Sequence, residues 1–427
     1  MYEISYTKEN NMTAEIAILN THGVAIAADS AITLRFGENA QKIYNSANKV
    51  FALSKYHPVG IMIYNSASFM GIEWEIIIKE YRKILGKRSF KTLFGYVNNF
   101  FQFVKKYKFI TKEHEKKFLM SFCYGFFSYL KKKFIDDLEK ELGTQENIPS
   151  NQISKVFNNT IKKFDEMHKK NPDEKLFRID TQNIDIYENE IIEIIQIVFE
   201  NYSITNIQNK KLMSLLKREI QKRIGYTSFF SGIVITGFGY DEIFPSIYSC
   251  NVHGKLGKCL LITNERKEQI STDHSARIIP FAQSEMVSSF MEGIDPLFED
   301  EIEDQLTTLI NKLEEIVDKP HKDKLFIILN DFFMYIAEFK KTVYIEPIMD
   351  IVDSLQKTEL AEMAESLVNL TSFKRHVSKE SETVGGPIDV AVITKGDGFI
   401  WIKRKHYFDA NLNNHFLKNY FQEGNNE

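Results

Sequence analysis

Thr13 follows a methionine and precedes the strand-like run AEIAIL. A His22-Gly23 turn leads into a second apolar run, GVAIAA, which ends at Asp29. A threonine exposed as the first residue of a chain carries a hydroxyl nucleophile and an α-amine on one residue. The amine, with an ordinary pKa of roughly 7.7–8.0, takes the hydroxyl proton directly or through a water near neutral pH. Such a residue needs almost no motif elsewhere, and the layout suits a self-activated threonine peptidase. Taken singly, Thr13 reads better as a strand-start threonine and Asp29 as a strand-end cap that holds a turn.

The elements around these residues form three β-rich stretches separated by two charged, helical ones. The first, from Thr13 to about Asn65, holds AEIAIL, GVAIAAD, KVFALS and VGIMIY, all short and β-prone. The second, from about Phe229 to Thr263, holds GIVITGFG, SIYSCNV and CLLIT. The third, Ile388 to Lys403, is a hairpin in which Gly396-Asp397-Gly398 turns between two apolar runs. Leu130 to Leu142, Asn189 to Phe199, Leu297 to Gln356 and Glu359 to Asn369 follow a helical period. Strand pairs contributed early, middle and late, with helices between them, predict two stacked sheets flanked by helices.

The chain has 427 residues, 43% hydrophobic and 26% charged, with a net charge of -4. That bounds it to a globular chain with a sizeable core and no global pull toward nucleic acid or membrane. Cys123, Cys250 and Cys259 show neither a disulfide framework nor a metal spacing, which fits a reducing cytoplasm. No apolar run is long enough for a spanning helix, so no membrane association is expected.

The strand-bearing segments resemble the β-type subunits of the proteasome and the related bacterial peptidase that works with an ATP-driven unfoldase, both N-terminal-nucleophile (Ntn) hydrolases. GVAIAADS is similar to the family's second strand and puts Asp29 at its acidic position, counted from a mature chain beginning at Thr13. NSANKV resembles the segment ending in the active-site lysine, which makes Lys49 that residue. GIVITGFGYDEIFPSIYSCNVHG resembles the central hairpin, and GGPIDVAVITKGDGFIWI the late Gly-Gly segment and final hairpin. The resemblance implies Thr13 as nucleophile, with Lys49 stabilising the alkoxide and keeping the amine neutral by like-charge repulsion. Asp29 would supply the counter-charge that a buried lysine needs. It further implies an oxyanion donor near Tyr64, Asn65 and Ser66.

The chain departs from the family at three places. The supporting Ser-Gly-Ser loop corresponds to Phe281-Ala282-Gln283-Ser284, so the serine is replaced by Ala282 or shifted to Ser284. Ser381 stands at the position of the later acid, with Glu380 or Glu382 beside it as substitutes, and Val384 replaces a serine. Tyr64 falls near the glycine that usually lines the oxyanion hole. A free Thr13 amine requires removal of residues 1–12. Autocleavage at Met12–Thr13, or translation from Met12 followed by methionine trimming, would achieve it.

Other features read more simply. From Lys79 to Lys133 there are fifteen Lys/Arg against three Glu; a solvated helical face over an aromatic core is preferred to a nucleic-acid surface, since no such binding motif is present. The acidic run Glu299 to Asp304 suits a helix start. His114-Glu115 lacks the second histidine of a zinc motif, and His253, His274 and His376 have no ligand spacing.

The fold expected is α+β, an αββα four-layer Ntn-hydrolase sandwich. Its core comprises 13–78, 229–295 and 358–408, with helical insertions at 79–228 and 296–357, a leader 1–12 and a tail 409–427. The expected function is cytoplasmic threonine hydrolysis of peptide or amide bonds without metal or organic cofactor. The partners expected are a peptide or protein substrate, further copies of the chain and an ATP-dependent unfoldase or regulator. A small-molecule amidase of the same fold and an inactive scaffold are the alternatives.

Overall fold

The computed structural model describes residues 14–36, 40–143, 148–170, 177–222, 230–314, 319–377, 385–406, 408–409 and 412–415. The chain is α+β, and among the described residues the strand pairings are antiparallel. It opens with strands β1 (Ala14–Asn20), β2 (Gly23–Ala28), β3 (Ile32–Phe36), β4 (Ala40–Tyr44), β5 (Val50–Ala52) and β6 (Val59–Asn65), then short β7 (Ser68–Phe69) and β8 (Ile72–Glu73). Helices α1 (Trp74–Leu85), α2 (Leu93–Lys105), α3 (Lys112–Leu142), α4 (Ser150–Lys170), α5 (Gln182–Asp185), α6 (Glu188–Val198) and α7 (Asn206–Lys222) follow. Strands β9 (Ser231–Gly237), β10 (Ser246–Leu256), β11 (Cys259–Gln269) and β12 (Ala276–Ala282) come next. Then come α8 (Glu285–Glu292), α9 (Pro296–Glu314), α10 (Lys319–Lys340), a π-turn at Lys341–Ile345, α11 (Glu346–Ser354) and α12 (Lys357–Val377), before the final hairpin of β13 (Asp389–Thr394) and β14 (Gly398–Lys403).

One five-stranded sheet has the order β12-β1-β2-β13-β14, and the other β11-β10-β9-β6-β5. The period-2 alternation of each strand separates its two faces. Ala17 and Leu19 of β1 and Val24, Ile26 and Ala28 of β2 share a buried cluster with Val50, Met62, Val234 and Ile247 of the second sheet, so the two sheets face each other. The alternate residues Ile16, Ile18, Ala25 and Ala27 pack outward against Leu360, Ala361, Ala364, Leu367 and Val368 of α12. Alanines on both sides let helix and sheet approach closely.

The outer face of the second sheet is covered by α1 and α2. Trp74, Ile77, Ile78, Tyr81 and Leu85 recur on one face of α1 and bury against Phe51, Val59, Ile61 and Ile63. Helices α3 to α7 form a separate core. Phe122, Phe126, Leu130 and Phe134 of α3 meet Phe157 of α4, Ile195 of α6 and Leu216 of α7. Leu256 and Leu261, at the far end of the β10–β11 hairpin, belong to that same core and tie the bundle to the sheet. The helices of 79–228 therefore fall into two groups, one roofing the sheet and one with an interior of its own. Among the described residues no helix is long and apolar enough to cross a membrane.

Candidate active site

Glu15 is the second residue of β1 and shares its inner face with Ala17 and Leu19. It is 2% exposed. Lys49 enters from the other sheet, immediately before β5, and is 3% exposed. Its Nζ lies 2.5 Å from Asp29 Oδ1 and 3.0 Å from Glu15 Oε1. One ammonium thus bridges two carboxylates in the space between the sheets. A charge buried this deeply persists only when paired and hydrogen-bonded. Burial pushes the Lys49 ammonium down, but the charges of Asp29 and Glu15 outweigh it, so Lys49 is held above its ordinary value.

Asp29 is fixed by more than Lys49. Its Oδ1 accepts the Ala14 N–H at 3.3 Å, and its Oδ2 accepts the N–H groups of Ala31 at 3.3 Å and Gly385 at 3.0 Å. Its own N–H donates to Ala14 O at 3.1 Å. Ser30 N–H donates to Gly385 O at 3.2 Å, and the Ser30 hydroxyl donates to Pro387 O. The late Gly-Gly segment is thereby clamped onto the end of β2. Gly386 takes φ 78°, and a Cβ there would stand 2.8 Å from Asn45 Cβ, so a residue without a side chain is required. On the other flank, Ile63 N–H donates to Lys49 O at 2.8 Å, registering the lysine against β6.

Thr13 itself lies outside the described residues, as do Glu380, Ser381 and Glu382. The position of Thr13 in the chain is nonetheless informative. Its carbonyl carbon is bonded to Ala14 N, the atom that donates to Asp29. Ala14 pairs with Ala282 across β12, which brings the 282–284 loop alongside. Ala282 takes φ 61°, a left-handed conformation that costs a β-carbon-bearing residue of order 1–3 kcal/mol. Ser284 is exposed at the start of α8, where its carbonyl accepts Ser288 N–H at 2.8 Å.

The 64–66 segment closes the opposite wall. Asn65 takes φ 65° and its side-chain amide donates to Phe230 O at 2.9 Å. Ser66 N–H also donates to Phe230 O, at 3.3 Å, and is committed there. Tyr64 points between the sheets. Its ring stacks on Phe281 at 5.6 Å, covers Gly232 so closely that a Cβ there would come within 2.0 Å, and sends its hydroxyl to Asn251 Oδ1 at 2.9 Å. Burial pushes the Tyr64 phenol well above its ordinary value, with Cys250 and Glu15 adding to it. Tyr64 is therefore a neutral hydrogen-bonding wall.

No protein-family model matches the chain, and no curated protein matches it either. The site must be read from its own geometry. That geometry brings together the sequence-expected Asp29 and Lys49 and adds Glu15. A signal for Glu15 existed in the sequence: it is the one charged residue in the run AEIAILN, all of which is buried, and a carboxylate there demands a cation.

Proposed function

We propose that this chain is an Ntn-type threonine hydrolase of the proteasome-like kind, with Thr13 as nucleophile. The observation that carries the reading is the buried Asp29–Lys49 pair, docked on the backbone N–H of Ala14 one peptide bond from Thr13. The two facing sheets, with α12 outside one and α1 and α2 outside the other, support the αββα Ntn layering. The α3–α7 bundle and the α9–α11 region stand as insertions into it.

In this mechanism the Thr13 α-amine takes the proton from Oγ as Oγ attacks the scissile carbonyl carbon. The Lys49 ammonium stabilises the developing alkoxide. The Asn65 backbone N–H is assigned to the tetrahedral oxyanion, since Ser66 N–H is committed to Phe230 O. The C–N bond then breaks, and the amine proton passes to the leaving nitrogen. Water attacks the resulting ester, releases the acid and restores Oγ–H. Asp29 touches none of the reacting atoms; it holds Lys49 charged and in place.

Peptide or protein is the proposed substrate class. A small-molecule amide is the second reading, favoured by the Tyr64 ring that fills space beside Gly232 and Phe281. Assembly of several copies and engagement by an ATP-dependent unfoldase or regulator are proposals that come with the family reading, as is a cytoplasmic location. A panel of fluorogenic peptides and small amides, run on wild type and Thr13→Ala, tests the function. Hydrolysis lost in the variant supports it, hydrolysis retained removes Thr13 as the nucleophile, and no hydrolysis by wild type favours the inactive scaffold.

A further inference from the structure

Lys49 faces two carboxylates where the chemistry above calls for one. Asp29 follows β2 and is built in by three backbone N–H groups. Glu15 comes from a different strand and approaches the same Nζ from the inner face of β1 at 3.0 Å. It is two residues from Thr13 in sequence and is flanked in its sheet by Phe281 of β12 and Ala28 of β2. Among the described residues, the charged and titratable groups facing it include Lys49 and Asp29, then Tyr64 of β6, with Cys250 of β10 and Arg266 of β11 beyond the tyrosine. On the α12 side, Arg375 donates to Gln283 Oε1 at 3.0 Å beside the end of β12.

We propose that Glu15 is a positioning residue that sets the working pH of this site, by partly cancelling the Lys49 charge as felt by the residue-13 amine. The inference rests on the Thr13 reading and deepens it. An ammonium beside the amine favours its neutral, basic form; a carboxylate on that ammonium weakens the effect and favours the protonated, inactive form. Glu15 therefore moves the onset of activity to higher pH. It also supports the charged form of Lys49 and so moves the alkaline loss of activity upward. Both limbs of the pH profile shift together, and the site is tuned for alkaline rather than neutral conditions.

The test uses a peptide β-lactone on protein whose first residue is Thr13, established by intact mass. Thr13 Oγ attacks the lactone carbonyl, the Oγ–acyl bond forms, the ring C–O bond breaks and the proton from Oγ ends on the ring oxygen. The labelling rate is measured against pH for wild type, Glu15→Gln, Glu15→Met and Glu15→Asp. Loss of the charge in Gln or Met is expected to move both limbs down by about one pH unit, while Asp keeps them near wild type. Limbs that stay in place while only the plateau falls would overturn the proposal. Failure of both uncharged variants to fold, with Asp folded, would overturn it too, because the carboxylate would then be structural. Labelling that persists in Thr13→Ala, or is absent in wild type, would instead remove the underlying reading.

Discussion

Gly385 donates its backbone N–H to Asp29 Oδ2 at 3.0 Å across 356 positions of sequence. The same carboxylate receives Ala14 N–H and the Lys49 ammonium. Asp29 is thus the point at which the first strand, the opposite sheet and the approach to the last hairpin are held together. Asp29→Asn keeps the shape but leaves Lys49 with half its counter-charge and puts an NH2 donor where one of two acceptor oxygens stood. Breaking a buried pair this way typically costs about 3–5 kcal/mol. Chemical denaturation should show a loss of that order, and under the proposed function hydrolysis should fall at least about a hundredfold, because Lys49 loses the carboxylate that fixes its position.

Lys49→Met is expected to destabilise through the opposite member, removing the ammonium that two buried carboxylates share. Its pH signature is distinct. Lys49 is held above its ordinary value of 10.5 in the fold, so the unfolded chain releases this proton first. The pair's contribution is fully present below the unfolded value and is lost as pH rises through the higher folded one. Wild type should therefore lose stability steeply above about pH 10.4. Lys49→Met should lack that particular slope in denaturation midpoints measured from pH 8 to 11.5.

Gly232 and Tyr64 make a second testable couple. A Cβ on residue 232 would stand 2.0 Å from the Tyr64 ring, so Gly232→Ala must displace a ring also wedged against Phe281. Overpacking of this kind costs about 1–3 kcal/mol. In a Tyr64→Ala background the same change should cost markedly less, and the difference in a double-mutant cycle measures the contact. Additive effects would mean that the ring is not what Gly232 accommodates.

His253 sits behind the same wall, with Nε2 at 2.8 Å from Thr263 Oγ1 and its ring 5.7 Å from that of Phe230. Burial pushes it down from 6.5 to about 4. The unfolded chain therefore binds this proton first as pH falls, so stability should decline as pH drops from about 6.5 toward 4. His253→Gln should flatten the decline over that window. An unchanged slope in thermal midpoints would place the responsible group elsewhere.

The strands were legible where apolar runs met turn residues. AEIAIL, GVAIAAD, IDVAVIT and FIWIK became β1, β2, β13 and β14, and the Gly-Asp-Gly turn joins the last two. β12 was not legible, because ARIIPFA carries an arginine and a proline. Pro280 is tolerated there since β12 lies at the edge of its sheet. The hairpin of β3 and β4 was missed although ITLRF alternates apolar and polar residues, because its partner AQKIY does not. Asp29 and Lys49 could be named in advance, but Glu15 could not be given a partner. Its pairing depends on the opposite sheet presenting Lys49 to the inner face of β1, a relationship between strands that no local pattern encodes.

The central claim is that Thr13 is a free N-terminal nucleophile. Intact mass and N-terminal sequencing of the natively expressed protein, before and after treatment with a peptide β-lactone and in parallel with Thr13→Ala, test it most directly. The account requires a wild-type chain that begins at Thr13 and gains one lactone mass on that residue, with no gain in the variant. A wild-type chain that keeps the residues before Thr13, or a variant that is labelled as well as wild type, would contradict it.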